Sequence, residues 1–221
     1  MALKGQMSRT FLNIGCLAVD VSMFFFLFVS WPTGSVSARP AFFHHISKFD
    51  TYSKADPILQ GLSIPDVKDL PVVQQPAGNT NYVSENDGEV TQFSAVTPHG
   101  NIVLLAHNYL SGQSFSKLAI GQEVLLVYED GKAEEFIVTE ILRYQALDPK
   151  SPYSSFQNLN DKDEVLTVGQ MFDRAYLGKR HLTLQTCIAA EGNASWGRLF
   201  VIASPKSELL GLESSNLYLR P

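Results

Sequence analysis

Cysteine is nearly absent: the 221 residues contain two, Cys16 and Cys187. No disulfide framework can be built from that number, and no zinc site with several thiolates. Runs of Lys or Arg are missing and the net charge is -5, which excludes binding to a phosphate backbone, where clustered positive charge is needed. Several chemical signatures are absent too: HExxH, GxGxxG and GxxxxGK[ST], and the GxSxG elbow. There are no internal repeats and no low-complexity tract. Charged residues amount to 18% and hydrophobic ones to 45%. A packed core is therefore feasible and global disorder is excluded.

One long apolar run is present, at the N-terminus. Lys4 and Arg9 precede it without an acidic residue, and residues 11–31 are apolar except for Asp20 and small polar residues. A membrane span needs about 20 such residues, so residues 1–38 read as an uncleaved anchor. "PTGSVSA" also offers Val36 and Ala38 as a signal-peptidase site, so a cleaved signal peptide is the alternative. A buried helix of a cytosolic domain is a third reading, against which the Phe24–Phe26 triplet counts. In the first two, Lys4 and Arg9 stay cytoplasmic and the rest is exported. Lys4, Arg9 and Asp20 sum to +1, which leaves -6 for the exported part. Cys16 then lies in the leader and cannot meet an exported thiol. Cys187 is expected to stand alone, either as a small buried hydrophobe or as a reactive thiol.

Residues 39–60 have no clear period and read as a linker; residues 61–221 read as one domain. From Gly61 on, short β-like runs alternate with turn residues. "LSIPDVKDLPVV" is extended and interrupted by Pro65 and Pro71. "EVTQFSAV" alternates, and "NIVLLAH" has the texture of a strand buried on both faces. "SFSKLAI" predicts a helical turn capped by serine. "QEVLLVYEDGKAEEFIVTEILRYQ" predicts a hairpin with a type I′ turn at Asp130-Gly131. "HLTLQTC" and "RLFVIAS" are two further strands. In "TVGQMFDRAYLG", Val168, Met171, Phe172 and Ala175 share one helix face, and the long polar connection before it is of a kind that is functional or disordered. About eight short strands with one inserted helix predict an all-β domain, a small barrel or sandwich, mostly antiparallel.

A cysteine nucleophile needs a base and donors for an oxyanion. His44 and His45 fall in the linker, and His99 falls in the turn "TPHGN". His181 lies six residues before Cys187 on one strand, about 20 Å away. His107 ends the buried run "NIVLLAH", where a strand delivers a side chain to a rim; taken alone it also fits a satisfied core histidine. Antiparallel pairing of the last two strands would bring Arg198 beside Cys187, although an arginine at a strand start is also commonly solvated. The acidic group "NDKDE" could bind calcium but lacks the spacing of a known loop. "NAS" at 193–195 matches a glycosylation sequon.

These residues together resemble the sortase family, the cysteine transpeptidases of bacterial cell surfaces. "TLQTC" looks like the family's TLxTC signature, "LSIPDVKDLPVV" its opening strand, and "GNIVLLAH" the segment that delivers its histidine. "FSKLAIGQEVLLVYEDGKAEEFIVTEI" is similar to the stretch that follows, and "RLFVIA" to the final strand with its arginine. Ala106 stands where many members have glycine, and Asn108 where a basic residue is frequent; no subclass is assigned. The resemblance implies an eight-stranded β-barrel with short helices, one of them in the loop before the cysteine strand. It implies Cys187, His107 and Arg198 as the catalytic set, and Thr183, Thr186, Ile188 and the 145–180 loop as lining the peptide groove. No cofactor and no metal is implied. The expected substrates are surface proteins with an LPXTG-like sorting signal. The acceptor is an amine of peptidoglycan or a pilin, and the site of action is the outer face of the bacterial membrane. A non-catalytic sortase-like module for surface binding or assembly is the alternative.

Overall fold

The computed structural model describes residues 57–210; the leader expected over 1–38 and most of the linker expected over 39–60 lie outside the described residues. Strand β1 (Leu59–Ile64) opens two residues before the expected boundary and β2 (Lys68–Gln74) follows it. Pro65 ends β1, Asp66 turns the chain at φ 61°, and Val67 N–H bonds back to the Ile64 carbonyl. Pro71 lies inside β2 opposite Gly61, one residue before β2 begins pairing with β3. Its missing N–H therefore interrupts no bond on that side.

Strand β3 (Val90–Gln92) is shorter than the alternation predicts. The chain leaves it to form a 3-10 helix over Ser94–His99, which contains Pro98 and stops at Gly100, φ 79°. Proline has no N–H to offer a sheet, and its fixed φ suits a helical turn; Phe93 and Val96 become core residues there. Strand β4 (Ile102–Leu105) is the doubly buried run expected from "NIVLLAH". The next helical turn, α1 (Gly112–Phe115), starts earlier than expected, and its Ser111 cap makes no side-chain cap bond.

The hairpin of β5 (Glu123–Tyr128) and β6 (Ala133–Ala146) is present. Its turn is not type I′, because Gly131 alone has positive φ, 79°. Gly131 N–H bonds to the Tyr128 carbonyl and Tyr128 N–H to the Lys132 carbonyl. That is the three-residue form, in which one glycine in the left-handed region suffices. Strands β7 (Phe156–Asn158) and β8 (Val165–Leu166) form a small hairpin within the long connection. Helix α2 (Val168–Tyr176) follows, with Thr167 and Gln170 forming a reciprocal capping box. Strands β9 (Leu182–Ala190) and β10 (Asn193–Pro205) are longer than their apolar cores suggest. Only Glu191 and Gly192 join them, both at positive φ, 52° and 73°, the pattern of the two-residue I′ hairpin.

The strands run in the order β10-β9-β4-β3-β2-β1-β5-β6, and β6 pairs again with β10. The ring therefore closes as an eight-stranded barrel, and β7 and β8 extend from the C-terminal half of β6. One core fills the barrel, with Leu62, Leu70, Val90, Leu104, Val124, Phe136, Leu184 and Leu199 each from a different strand. A second core lies outside it. There Val103, Leu105, Phe200 and Ile202 meet Phe93, Phe156, Met171, Ala175 and Tyr176. Helix α2 and the 3-10 helix thus cover one outer face of the barrel.

Candidate active site

Side chains alternate between the two cores along β4, β9 and β10. Leu104 and Ala106 of the β4 segment, Leu182 and Leu184 of β9, and Leu199 and Val201 of β10 point into the barrel. The odd positions Val103 and Leu105, and the even positions Phe200 and Ile202, point outward. Outward on β9 are Thr183, which bonds to the Ala175 carbonyl of α2, and Gln185, which accepts from the Tyr176 hydroxyl. The same alternation puts His107, Cys187 and Arg198 on this outward face.

Register brings the three level. Arg198 pairs directly with Cys187 across β10 and β9. Strand β4 runs parallel to β9, with Leu105 opposite Gln185, and Ala106 N–H continues the ladder to the Gln185 carbonyl. Two residues further along both strands, His107 reaches the level of Cys187. The polypeptide around His107 is tightly held: Leu110 and Gly112 N–H both bond to its carbonyl. A Cβ on Gly112 would overlap Thr186 Oγ1 and sit 2.7 Å from the His107 carbonyl oxygen. Only glycine allows α1 to approach β9 this closely. Asn108 Nδ2 bonds to the Ala194 carbonyl at 3.0 Å, linking the histidine segment to the β9–β10 hairpin.

Cys187, His107 and Arg198 are buried, at 3%, 5% and 6% exposure. The His107 ring stacks on Tyr109, with centroids 5.1 Å apart. Burial lowers its pKa below the usual histidine value, against the opposing pull of the Glu85 carboxylate and the Val83 backbone. Arg198 Nη1 donates to the Ser195 and Gly197 carbonyls, both at 3.0 Å. Its guanidinium lies over Phe156, 6.0 Å from the ring centroid. Among the described residues no carboxylate pairs with it. Burial lowers its pKa, with Tyr176 pulling the other way; a guanidinium keeps its charge regardless.

Cys187 was expected to carry a lone thiol, and this is corrected: its sulfur is disulfide-bonded in this structure, and no described cysteine is free. The expectation rested on assigning Cys16 to the leader, which lies outside the described residues. Any chemistry at this sulfur belongs to its reduced form.

The residues expected to line a peptide groove are placed differently. Thr183 is fully buried beneath α2, its hydroxyl 2.6 Å from the Ala175 carbonyl. Thr186 points to the other side of β9 and donates to the Ala106 carbonyl at 2.8 Å. Ile188 packs against the barrel core. His181 is held by the Lys179 and Ala175 carbonyls, at the far end of β9 from Cys187. Glu164 of the acidic group accepts from Tyr144 and Asn158. No metal-holding cluster of His, Cys, Asp or Glu occurs among the described residues. Phe156 and Tyr176 line this face and were not foreseen. Phe156 and Tyr176 arrive through tertiary packing.

A closed eight-stranded β-barrel with this outward face, reached through one long covered connection, defines the structural class. The chain belongs to the sortase family: the family model described as "Sortase domain" matches residues 62–206, well over half of its length. Sortases are cysteine transpeptidases of the bacterial cell surface. Among solved structures the chain is similar to sortase C1 of Streptococcus agalactiae, in complex with MTSET, at 20% identity, covering 68% of each chain with a TM-score of 0.43. Sortase C1 from Streptococcus suis is 18% identical, over 66% of this chain and 72% of that one, TM-score 0.45. Sortase C-1 from Actinomyces oris is 16% identical, over 68% and 73%, TM-score 0.45. No curated protein matches.

Proposed function

We propose that the chain is a sortase-type cysteine transpeptidase that cleaves an LPXTG-like sorting motif and passes the acyl group to an amine. The observation that carries this reading is the register: Arg198 stands opposite Cys187 on β10, and His107 comes level with it on the β4 side. Reduced Cys187, as thiolate, attacks the carbonyl carbon of the Thr–Gly bond. The carbonyl oxygen takes up negative charge, and the Arg198 guanidinium supplies fixed donors to it. Imidazolium His107 protonates the leaving glycine amine as the C–N bond breaks, which leaves a thioester. An incoming amine attacks the thioester, neutral His107 accepts its proton, and the Cys187 thiolate departs.

Burial favours neutral imidazole, and the fraction in which thiolate and imidazolium coexist is set by the pair together. Thr183, Thr186 and Ile188 act here by holding β9 against α2, β4 and the barrel core. The acceptor is a peptidoglycan or pilin amine, and no cofactor or metal takes part. The enzyme works on the outer face of the bacterial membrane, held by residues 1–38 or released if they are cleaved. No helix among the described residues is long and apolar enough to cross a membrane.

The test is intact-protein mass after mixing the full chain, with a thiol reductant, with a pool of LPXTG-like peptides. An adduct of peptide-fragment mass that hydroxylamine discharges and Cys187→Ala lacks is expected. A reduced, folded protein that acquires no adduct across the pool would overturn the reading in favour of a non-catalytic binding module.

A further inference from the structure

An imidazole that serves as general acid and base normally has its ring fixed by a hydrogen bond from its second nitrogen to a third group. His107 lacks that bond: among the described residues its Nδ1 is buried and without a hydrogen-bond partner. The Val83 backbone lies near enough to favour the charged ring, yet it does not bond to Nδ1. Another group must hold the ring, and Tyr109 is placed to do so. The two rings are stacked, with centroids 5.1 Å apart and planes 18° from parallel. Tyr109 is 54% exposed, so packing into a core does not account for where its ring lies.

The stack is built into the turn between β4 and α1. Leu110 N–H and Gly112 N–H both bond to the His107 carbonyl at 3.0 Å, and Gln113 Nε2 donates to the Tyr109 carbonyl at 3.1 Å. Two ties from outside fix the turn further. Gly88 N–H bonds to Oγ of the buried Ser111 at 2.9 Å, and Asn108 Nδ2 to the Ala194 carbonyl at 3.0 Å. The chain over 107–113 therefore has little freedom to part the rings. The stack also acts electrostatically. An aromatic face is negative and attracts a cation, so it favours imidazolium over imidazole. Burial acts the other way. The charged and titratable groups around His107 are Glu85 from the β2–β3 connection, Cys187 from β9 and Arg198 from β10. Glu85 is exposed, and salt and water weaken its pull.

We propose that Tyr109 is a positioning residue for the transpeptidase reaction: its ring face holds the His107 imidazole in orientation and stabilises its protonated form, the task of the third group in a hydrogen-bonded triad. This rests on the transpeptidase reading and deepens it. Imidazolium is the form that protonates the leaving amine, so the stack bears on the step that breaks the C–N bond. Tyr109 acts through His107.

The experiment compares the full chain, reduced and in detergent, with Tyr109→Phe and with replacement of Tyr109 by pentafluorophenylalanine. The fluorinated ring keeps the shape and the cover but loses the negative face. Equal thermal midpoints check that both variants fold. The proton affinity of His107 is read by NMR of isotope-labelled histidine, its signal assigned by its absence in His107→Gln. The Tyr109→Phe protein should bind this proton within about twofold of the parent. The fluorinated protein should bind it about two- to fivefold more weakly, the range of a partly exposed cation–π contact. The limb of kcat/KM against pH that belongs to His107, measured with an LPXTG-like peptide, should move to lower pH by the same factor. A ring that only fills space would move neither. Equal proton affinity in the phenylalanine and fluorinated proteins overturns the proposal. The titration needs no peptide, so the two readings fail separately. A parent that acquires no adduct overturns the transpeptidase reading, and with it any part of Tyr109 in catalysis. An active parent whose variants titrate alike overturns only the role of Tyr109.

Discussion

Removing the hydroxyl of Tyr176 should show how firmly the helical connection is fastened to the cysteine strand. Tyr176 is fully buried, and its hydroxyl donates to Gln185 Oε1, two residues before Cys187 on the same face. In Tyr176→Phe the ring keeps its neighbours Phe93, Phe172 and Phe200, at 5.8, 5.1 and 5.9 Å between centroids. The loss is therefore polar: Gln185, 3% exposed, is left with a stranded oxygen. Stranding a buried acceptor costs about 1–3 kcal/mol, and 2 kcal/mol lowers the melting midpoint of a chain this size by about 4–8 °C. Burial also pushes the phenol pKa well above its usual value, so the donor stays protonated and the effect should not vary between pH 6 and 9.

The decisive version of this assay is a double-mutant cycle with Gln185→Met, followed by urea unfolding. Each single change leaves one buried polar group unmatched, and the pair leaves none, so the double variant should be more stable than the sum of the singles predicts by about 1–2 kcal/mol. Strict additivity would refute the reasoning. So would a Tyr176→Phe midpoint within 1 °C of the parent.

Gly112→Ala should destabilise the fold by about 1–3 kcal/mol through overpacking and lower peptide turnover, because Thr186 and the His107 carbonyl must both give way. Gly169→Ala in α2, where an added Cβ meets nothing within 4 Å, should instead raise stability by about 0.4–1 kcal/mol; denaturation midpoints check both. His107 predicts an acid weakness. Its unfolded pKa is about 6.5 and its folded value is lower, so unfolding takes up a proton between the two. As pH falls through that window, the parent should lose stability relative to His107→Gln, with a slope approaching about 1.4 kcal/mol per pH unit. Parallel stability curves would contradict this.

The catalytic candidates were legible in the sequence for a local reason. Residues 187 and 198 flank a short hairpin, so antiparallel pairing alone predicts their meeting. The apolar density of "NIVLLAH" marks a central strand with a histidine at its end. Period two also separates Thr183 from Thr186 and Ile188, so their opposite faces could have been read directly. What stayed hidden depends on distant partners. The turn at Asp130-Gly131 takes its type from how β5 and β6 twist together. The strand expected after Val90 yields to a 3-10 helix because Phe93 and Val96 find a core beneath α2. Phe156 and Tyr176 reach the site from a connection whose local pattern gives no sign of where it will pack.

The parallel pairing of β4 with β9 has a consequence for how the protein comes into being. Thr186 and Ala106, which its hydrogen bond joins, are 80 residues apart, and no hairpin or single folding unit contains both strands. Contacts of such long range form slowly, after the entropy of closing the intervening chain has been lost. A chain in which only the β9–β10 hairpin has formed sets Arg198 opposite Cys187 but leaves His107 apart until β4 pairs with β9. The three side chains of the proposed site therefore come together only when that long-range pairing forms, so assembly of the site and completion of the barrel are one event.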